Sequence, residues 1–185
     1  MVEGKYENIN FRGKPLTSGE YENCSFINCD LSDADLAEFI FIECEFTETN
    51  LSNAKLNRTS FREVRFRDCK MVGLRFEDCL PFLAPPEFHN CLLKLSSFVE
   101  MKMPKARFHQ CDLQEVDFSN ADLTGSEFVR CDLQRAVFDN TVLEKADFRS
   151  SYHYAIDPDR NRIRKAVFSI DGLPGLLGKY GIVIK

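Results

Sequence analysis

Tryptophan is absent from the chain, histidine occurs three times, and glycine only nine times in 185 residues. No apolar run approaches the ~20 residues of a membrane-spanning helix. The opening MVEGKYENINF has no apolar signal-peptide segment, so the expected location is cytoplasmic. There is no Ser/His/Asp order, phosphate-cradling glycine loop or paired zinc CxxC motif, so neither enzyme activity nor a cofactor nor a bound metal is expected. Eight cysteines could mean disulfides in a small secreted domain. Without an export signal, reduced thiols are the expected state. Charged residues at 29% and apolar ones at 44% exclude a disordered or membrane-embedded chain, and the length suits one domain with its own core.

Phenylalanine is abundant, at 17 residues, and it is placed by rule. In RCDLQRAVFDNTVLEKADF a Leu or Phe stands at 133, 138, 143 and 148. A period of five fits neither a helix, near 3.6, nor a half-buried strand, at 2. The phase starts at Tyr6 and runs through Phe26, Phe46 and Phe66 to Phe76, slips by two residues in CLPFLAPPEF, and resumes from Phe88 to Phe148. Two residues before most of these stands a small or thiol side chain, among them Cys24, Cys29, Cys44, Cys91, Cys111, Ala121, Cys131 and Ala146. Each pentapeptide thus turns one large and one small side chain inward. Every fourth repeat is aromatic: Tyr6, Phe26, Phe46, Phe66, Phe88, Phe108, Phe128 and Phe148. Recurrence at 20 residues predicts a four-sided coil of four pentapeptides, stacked at the ~4.8 Å strand spacing, with about seven coils in all. Each inner column becomes a ladder, and burying each Phe or Leu contributes roughly 1.5–3 kcal/mol.

CDLSDADLAEF, VDFSNADLTGSEF and EKADF resemble the pentapeptide-repeat family over about residues 6 to 150. The resemblance implies an all-β fold, a right-handed quadrilateral β-helix over 1–150. Residues 151–185 would then form a C-terminal capping and dimerisation module. There IDPDRN reads as a turn, IRKAVFSI as a strand and IVIK as a last short strand. DGLPGLLGKYG reads as a short helix, with Leu173, Leu176, Leu177 and Tyr180 at i, i+3, i+4 and i+7 and Gly181 as its stop. This face is the candidate for pairing two chains as a homodimer. The tail resembles the subgroup of microcin-immunity (McbG-like) and quinolone-resistance (Qnr and MfpA-like) proteins. That implies a dimeric rod occupying the DNA site of a type II topoisomerase, DNA gyrase or topoisomerase IV. The two long loops of the Gram-negative Qnr pattern are missing, and the only bulge lies around Leu80 to Phe88. There Leu83 is expected inside and Phe82 outside, with Phe82, Pro85 and Pro86 as a contact.

Charge supplies the other candidates. Residues 1–150 carry 26 acids and 18 bases and the tail 3 and 6. From Pro15 to Ala54 there are nine acids and no base, from Lys55 to Arg75 seven bases and two acids, and Asp112 to Glu127 is again purely acidic. An acidic face of Glu20, Glu22, Asp30, Asp33, Asp35, Glu38, Asp112, Asp117 and Asp122 could imitate DNA phosphates and steer to a basic groove. The basic middle band is unlike DNA, and direct nucleic-acid binding is not expected of so acidic a chain. Outward aspartates also match the consensus as makers of local turn hydrogen bonds. His89 and His109 should lie ~5 Å apart on the outside, and two histidines alone rarely hold a metal. The leading expectation is a non-enzymatic DNA mimic acting on gyrase or topoisomerase IV. The alternatives are a scaffold for an unrelated protein partner, and a metal or redox role for His89, His109 or Cys79.

Overall fold

One aromatic every 20 residues becomes a continuous stack. In the computed structural model, which describes residues 4–13 and 15–183, Tyr6, Phe26, Phe46, Phe66, Phe88, Phe108, Phe128, Phe148 and Phe168 lie ring on ring. Their centroids are 4.6–5.5 Å apart and their planes within 21° of each other. Phe76, Phe98, Phe118 and Phe138 form a second column, which meets the first edge to face. Stacked neighbours within a column and tilted neighbours between columns are the arrangements that ring quadrupoles favour. The molecule is a parallel β-solenoid, the quadrilateral β-helix expected.

The strands are three residues long because each wall has room for one inward side chain. Strands β1 (Lys5–Glu7), β2 (Glu20–Glu22), β3 (Ser25–Ile27), β4 (Ile40–Ile42), β5 (Glu45–Thr47), β6 (Ser60–Arg62), β7 (Arg65–Arg67), β8 (Glu87–His89), β9 (Arg107–His109) and β10 (Glu127–Val129) all pair in parallel. One wall is the sheet β1-β3-β5-β7-β8-β9-β10 and another the sheet β2-β4-β6. Single parallel bridges such as Asp30↔Asn50 and Asp117↔Val137 carry the remaining walls.

The corners require a left-handed residue. Among the described residues, twenty-four other than glycine have positive φ, and most stand two positions after an inward residue, as Asn28, Asp33, Glu38 and Glu43 do. At the corner after Leu31, Ala34 N–H donates to Leu31 O at 3.1 Å across a left-handed Asp33, a type II geometry. The αL conformation costs an L-residue roughly 1–2 kcal/mol. Each such corner recovers hydrogen bonds, as when Asp33 N–H donates to Ser52 O of the next coil at 2.9 Å.

The small inward residues do more than leave room. In the column Cys29, Thr49, Cys69, Cys91, Cys111, Cys131 and Ser151, every thiol or hydroxyl donates to the carbonyl of the stacked aromatic one coil away, Tyr6 to Phe128, at 2.7–3.5 Å. Thr59, Ser96, Ser126, Thr141 and Asn161 serve the Leu, Met and Phe carbonyls of other columns in the same way. A hydrogen bond to Cys91 and burial hold the Cys69 thiol up, and burial holds Cys79 up.

Stacking continues beyond residue 150. The expected strand IRKAVFSI is instead more coil: Arg162 and Val167 bridge to Val142 and Asp147, and Ile163 and Phe168 keep the 20-residue phase of Leu143 and Phe148. Asp157 to Arg160 makes the expected turn. The helical segment is broken into a 3-10 turn (Ile170–Gly172), α1 (Pro174–Leu177) and a second 3-10 turn (Gly178–Tyr180), ended by left-handed Gly181. Ile182 and Val183 are exposed and form no strand, and the rest of IVIK lies outside the described residues. Among the described residues, no helix is long and apolar enough to cross a membrane.

Candidate partner-binding surfaces

The acidic residues divide by the role of their oxygens. Asp30, Asp35, Asp112, Asp117 and Asp122 stand just before an inward residue, where one carboxylate oxygen accepts the N–H two residues on, at 2.8–3.2 Å. In Asp30 and Asp122 that same oxygen also accepts a hydroxyl at 2.6 Å, from Ser32 and Thr124. The Ser32 hydroxyl holds the Asp30 carboxyl below its usual range. These side chains build turns and still present a charge. Asp33 and Glu38 sit on left-handed corners and face arginines, Arg12 at 2.7 Å and Arg58 at 3.8 Å. Glu20 and Glu22 flank Tyr21 on β2 and are half-buried.

The nine do not lie on one face. The bridge row Asp30↔Asn50↔Lys70↔Leu92↔Asp112↔Asp132 places Asp30 and Asp112 on the same wall, four coils apart. Asp35 and Asp117 belong to a second wall, and Glu20, Glu22 and Asp122 to a third. A run that is continuous in sequence turns a corner every five residues, so it becomes a girdle around the rod. The row adds a residue that sequence reasoning did not select. Asp132 accepts from His153 at 2.9 Å and Gln114 at 2.6 Å, and these bonds draw its carboxyl below the usual range against the effect of burial.

At the bulge the expectation is reversed. Leu83 is 88% exposed, whereas Phe82 is half-buried and packed on the core. The pentapeptide phase does not reach into the insertion, and the larger ring takes the inner place. Pro86 is buried and Pro85 half-buried, so of the proposed contact Pro86 is unavailable and the free tip is Leu83 and Ala84. Phe66 still pairs with Phe88 in register, so the first wall runs past the slip.

His89 and His109 pair in register with ring centroids 4.9 Å apart, as the spacing required. Burial, then His109 and Arg67, hold His89 below its usual range. Among the described residues no cluster of three or more His, Cys, Asp or Glu is placed to hold a metal.

In the tail, Tyr180 and Leu173 are exposed, Leu177 is half-buried, and Leu176 packs on the core. Ile170, at 85% exposure, and Ile182 extend the exposed apolar surface. The tail is held by Lys179, which donates to Asp157 at 2.7 Å and to Asp159.

Stacked four-sided coils with an inward Phe or Leu at every fifth residue define a parallel β-solenoid of pentapeptides. A family model described as a pentapeptide repeat region matches residues 20–82 and 75–148, and the chain belongs to that family. Its fold is similar to that of a trypsin-treated variant of QnrB1, a plasmid-mediated fluoroquinolone resistance protein. The TM-score is 0.52 at 16% identity, covering all of both chains. Full-length QnrB1 gives 0.45 at 21% identity, over 97% of this chain and 98% of that one. HetL, a pentapeptide repeat protein involved in heterocyst differentiation regulation in the cyanobacterium Nostoc sp. strain PCC 7120, gives 0.42 at 16%, over 91% and 85%. No curated protein matches the chain in sequence.

Proposed function

We propose that the protein is a non-enzymatic, cytoplasmic DNA mimic that binds a type II topoisomerase, DNA gyrase or topoisomerase IV, and protects or modulates it. The observation that carries this reading is charge density. Residues 15–54 hold nine carboxylates and no base. They span two coils, about 10 Å of axis at ~4.8 Å per coil. That is about one charge per 1.1 Å, against about one per 1.7 Å for duplex DNA. Arg12, Arg58 and Arg67 offset three of them, which leaves about one charge per 1.6 Å, close to the duplex. QnrB1 is a plasmid-mediated fluoroquinolone resistance protein, which is in keeping with such a role. The chain is proposed to act as a homodimer, joined through the exposed Ile170, Leu173 and Tyr180. Ile170→Glu with Tyr180→Glu should turn a dimer into a monomer in light scattering; an unchanged mass would remove this interface.

The test is gyrase supercoiling in the presence of a fluoroquinolone, titrating the wild type against the triple variant Glu20→Lys, Glu22→Lys and Glu38→Lys. These three side chains build no turn, so the variant should keep its fold. The wild type should rescue or inhibit supercoiling and the variant should not. If the wild type leaves both gyrase and topoisomerase IV unaffected, the second reading takes over, a scaffold for an unrelated protein. That reading is favoured by the middle of the rod, where residues 55–107 carry 11 bases and 6 acids.

A further inference from the structure

The bulge and the coil after it enclose an open groove of about 470 Å³. One wall is apolar, made by Phe82, Leu83, Ala84 and Pro85, and Lys102, Lys105 and Arg107 line the other. The charges are unbalanced. Glu87, the only carboxylate in the groove, is shared between Arg107 at 3.0 Å and Arg65 at 3.5 Å. Lys102 and Lys105 are exposed and make no ion pair among the described residues. Beyond Lys102 the surface turns into a second shallow groove holding Glu77 and Glu100, so Lys102 stands at the boundary. Elsewhere on this rod many exposed cations have a carboxylate within reach, as Arg12, Arg67 and Arg162 do.

We propose that this groove binds an extended acidic polypeptide segment carrying large apolar residues, whose carboxylates meet Lys102 and Lys105 while an apolar side chain covers Leu83. The argument is charge complementarity beside an apolar wall. Two unpaired ammonium groups select carboxylates over a basic partner, and an 88% exposed Leu selects an apolar neighbour over water. A topoisomerase's DNA-binding groove, which is basic, would be repelled here, so the site requires a partner surface of opposite charge to the one proposed for the acidic coils. The inference does not rest on the topoisomerase reading and would hold equally for a scaffold.

The experiment is fluorescence anisotropy with three labelled probes. One short peptide alternates Asp or Glu with Leu or Phe, one of the same length replaces the acids with Lys, and the third is a duplex oligonucleotide. The intact protein should bind the acidic-apolar peptide and neither of the others, and more weakly as NaCl rises from about 0.1 to about 0.5 M. Lys102→Glu with Lys105→Glu should raise its Kd by ~10-fold or more, and Leu83→Ser alone should also weaken it. Both changes are on exposed side chains, and unchanged melting curves confirm that the coil is intact. No binding of the acidic-apolar peptide, equal binding of the Lys peptide, preference for the oligonucleotide, or binding untouched by both variants would each overturn the proposal.

Discussion

At the scale of single residues, the second inward position of each pentapeptide is a hydrogen-bonding post as much as a space-filler. Thr141 Oγ1 donates to Phe118 O at 2.9 Å in the buried core. Thr141→Val keeps the shape and leaves that carbonyl without this donor, so it should cost about 1–3 kcal/mol in urea denaturation. Cys111→Ser should cost under about 1 kcal/mol, because Ser151 already occupies the same column as a donor. Leu95 makes the converse case. Among the described residues it is the one apolar side chain with positive φ, and it is 60% exposed. Asn is favoured in αL and Leu is not. Leu95→Asn should therefore raise stability by about 0.5–1 kcal/mol, read as a shift in the denaturation midpoint. The inward columns were legible in the sequence because a period of five at 20-residue identity has no other physical source. The donor role was missed although Thr49 and Ser151 gave the signal, since hydroxyls and thiols share a proton as well as a small size.

At the scale of elements, each coil is a unit that touches its neighbours, and the terminal one needs a lid. The lid rests on Tyr154, which is buried beneath two glycines. A Cβ on Gly175 would lie 2.2 Å from Tyr154 O, and one on Gly172 would lie 1.7 Å from its Oη. Gly175→Ala meets backbone, which cannot swing aside, so the segment 170–181 should detach. Amide exchange there should rise toward that of an unprotected chain, while the Phe stack stays protected. An unchanged exchange pattern would show that the lid is held by Lys179 and its aspartates instead. The end of the solenoid is obscured in the sequence because His153 and Pro158 stand where the period calls for a large apolar residue. Ile163 and Phe168, 20 residues after Leu143 and Phe148, nevertheless continue it. Inside the bulge nothing in the period chooses between Phe82 and Leu83, and only packing decides.

At the scale of the whole molecule, the carboxylates that build turns tie stability to pH. Asp30 is held below the usual 3.8 by the Ser32 hydroxyl, and Asp147 by its hydrogen bond to Arg149. Their contribution is complete above 3.8 and is lost as pH falls through their lower folded values. His89, held below its usual 6.5 by burial, then by His109 and Arg67, acts in the same direction. The group is neutral when folded and gains a proton more readily when unfolded. The urea midpoint should thus be level from pH 6.5 up to the ionisation of the unfolded thiols near 9.0, sag below 6.5 and drop steeply under 3.8. A midpoint that rises on acidification would contradict this assignment of charges.

Because the chain returns to the same wall after 20 residues, distance along the rod and direction around it are set independently. Asp30 and Asp112 share a wall four coils apart, about 19 Å at the strand spacing. Adding or removing one complete coil between them would change that separation by a single ~4.8 Å step and leave both facing as before. Adding five residues would instead turn everything downstream by a quarter revolution. The protein is in this sense a graduated ruler, and the two extra residues at the bulge mark the one place where a graduation is widened without the scale being lost.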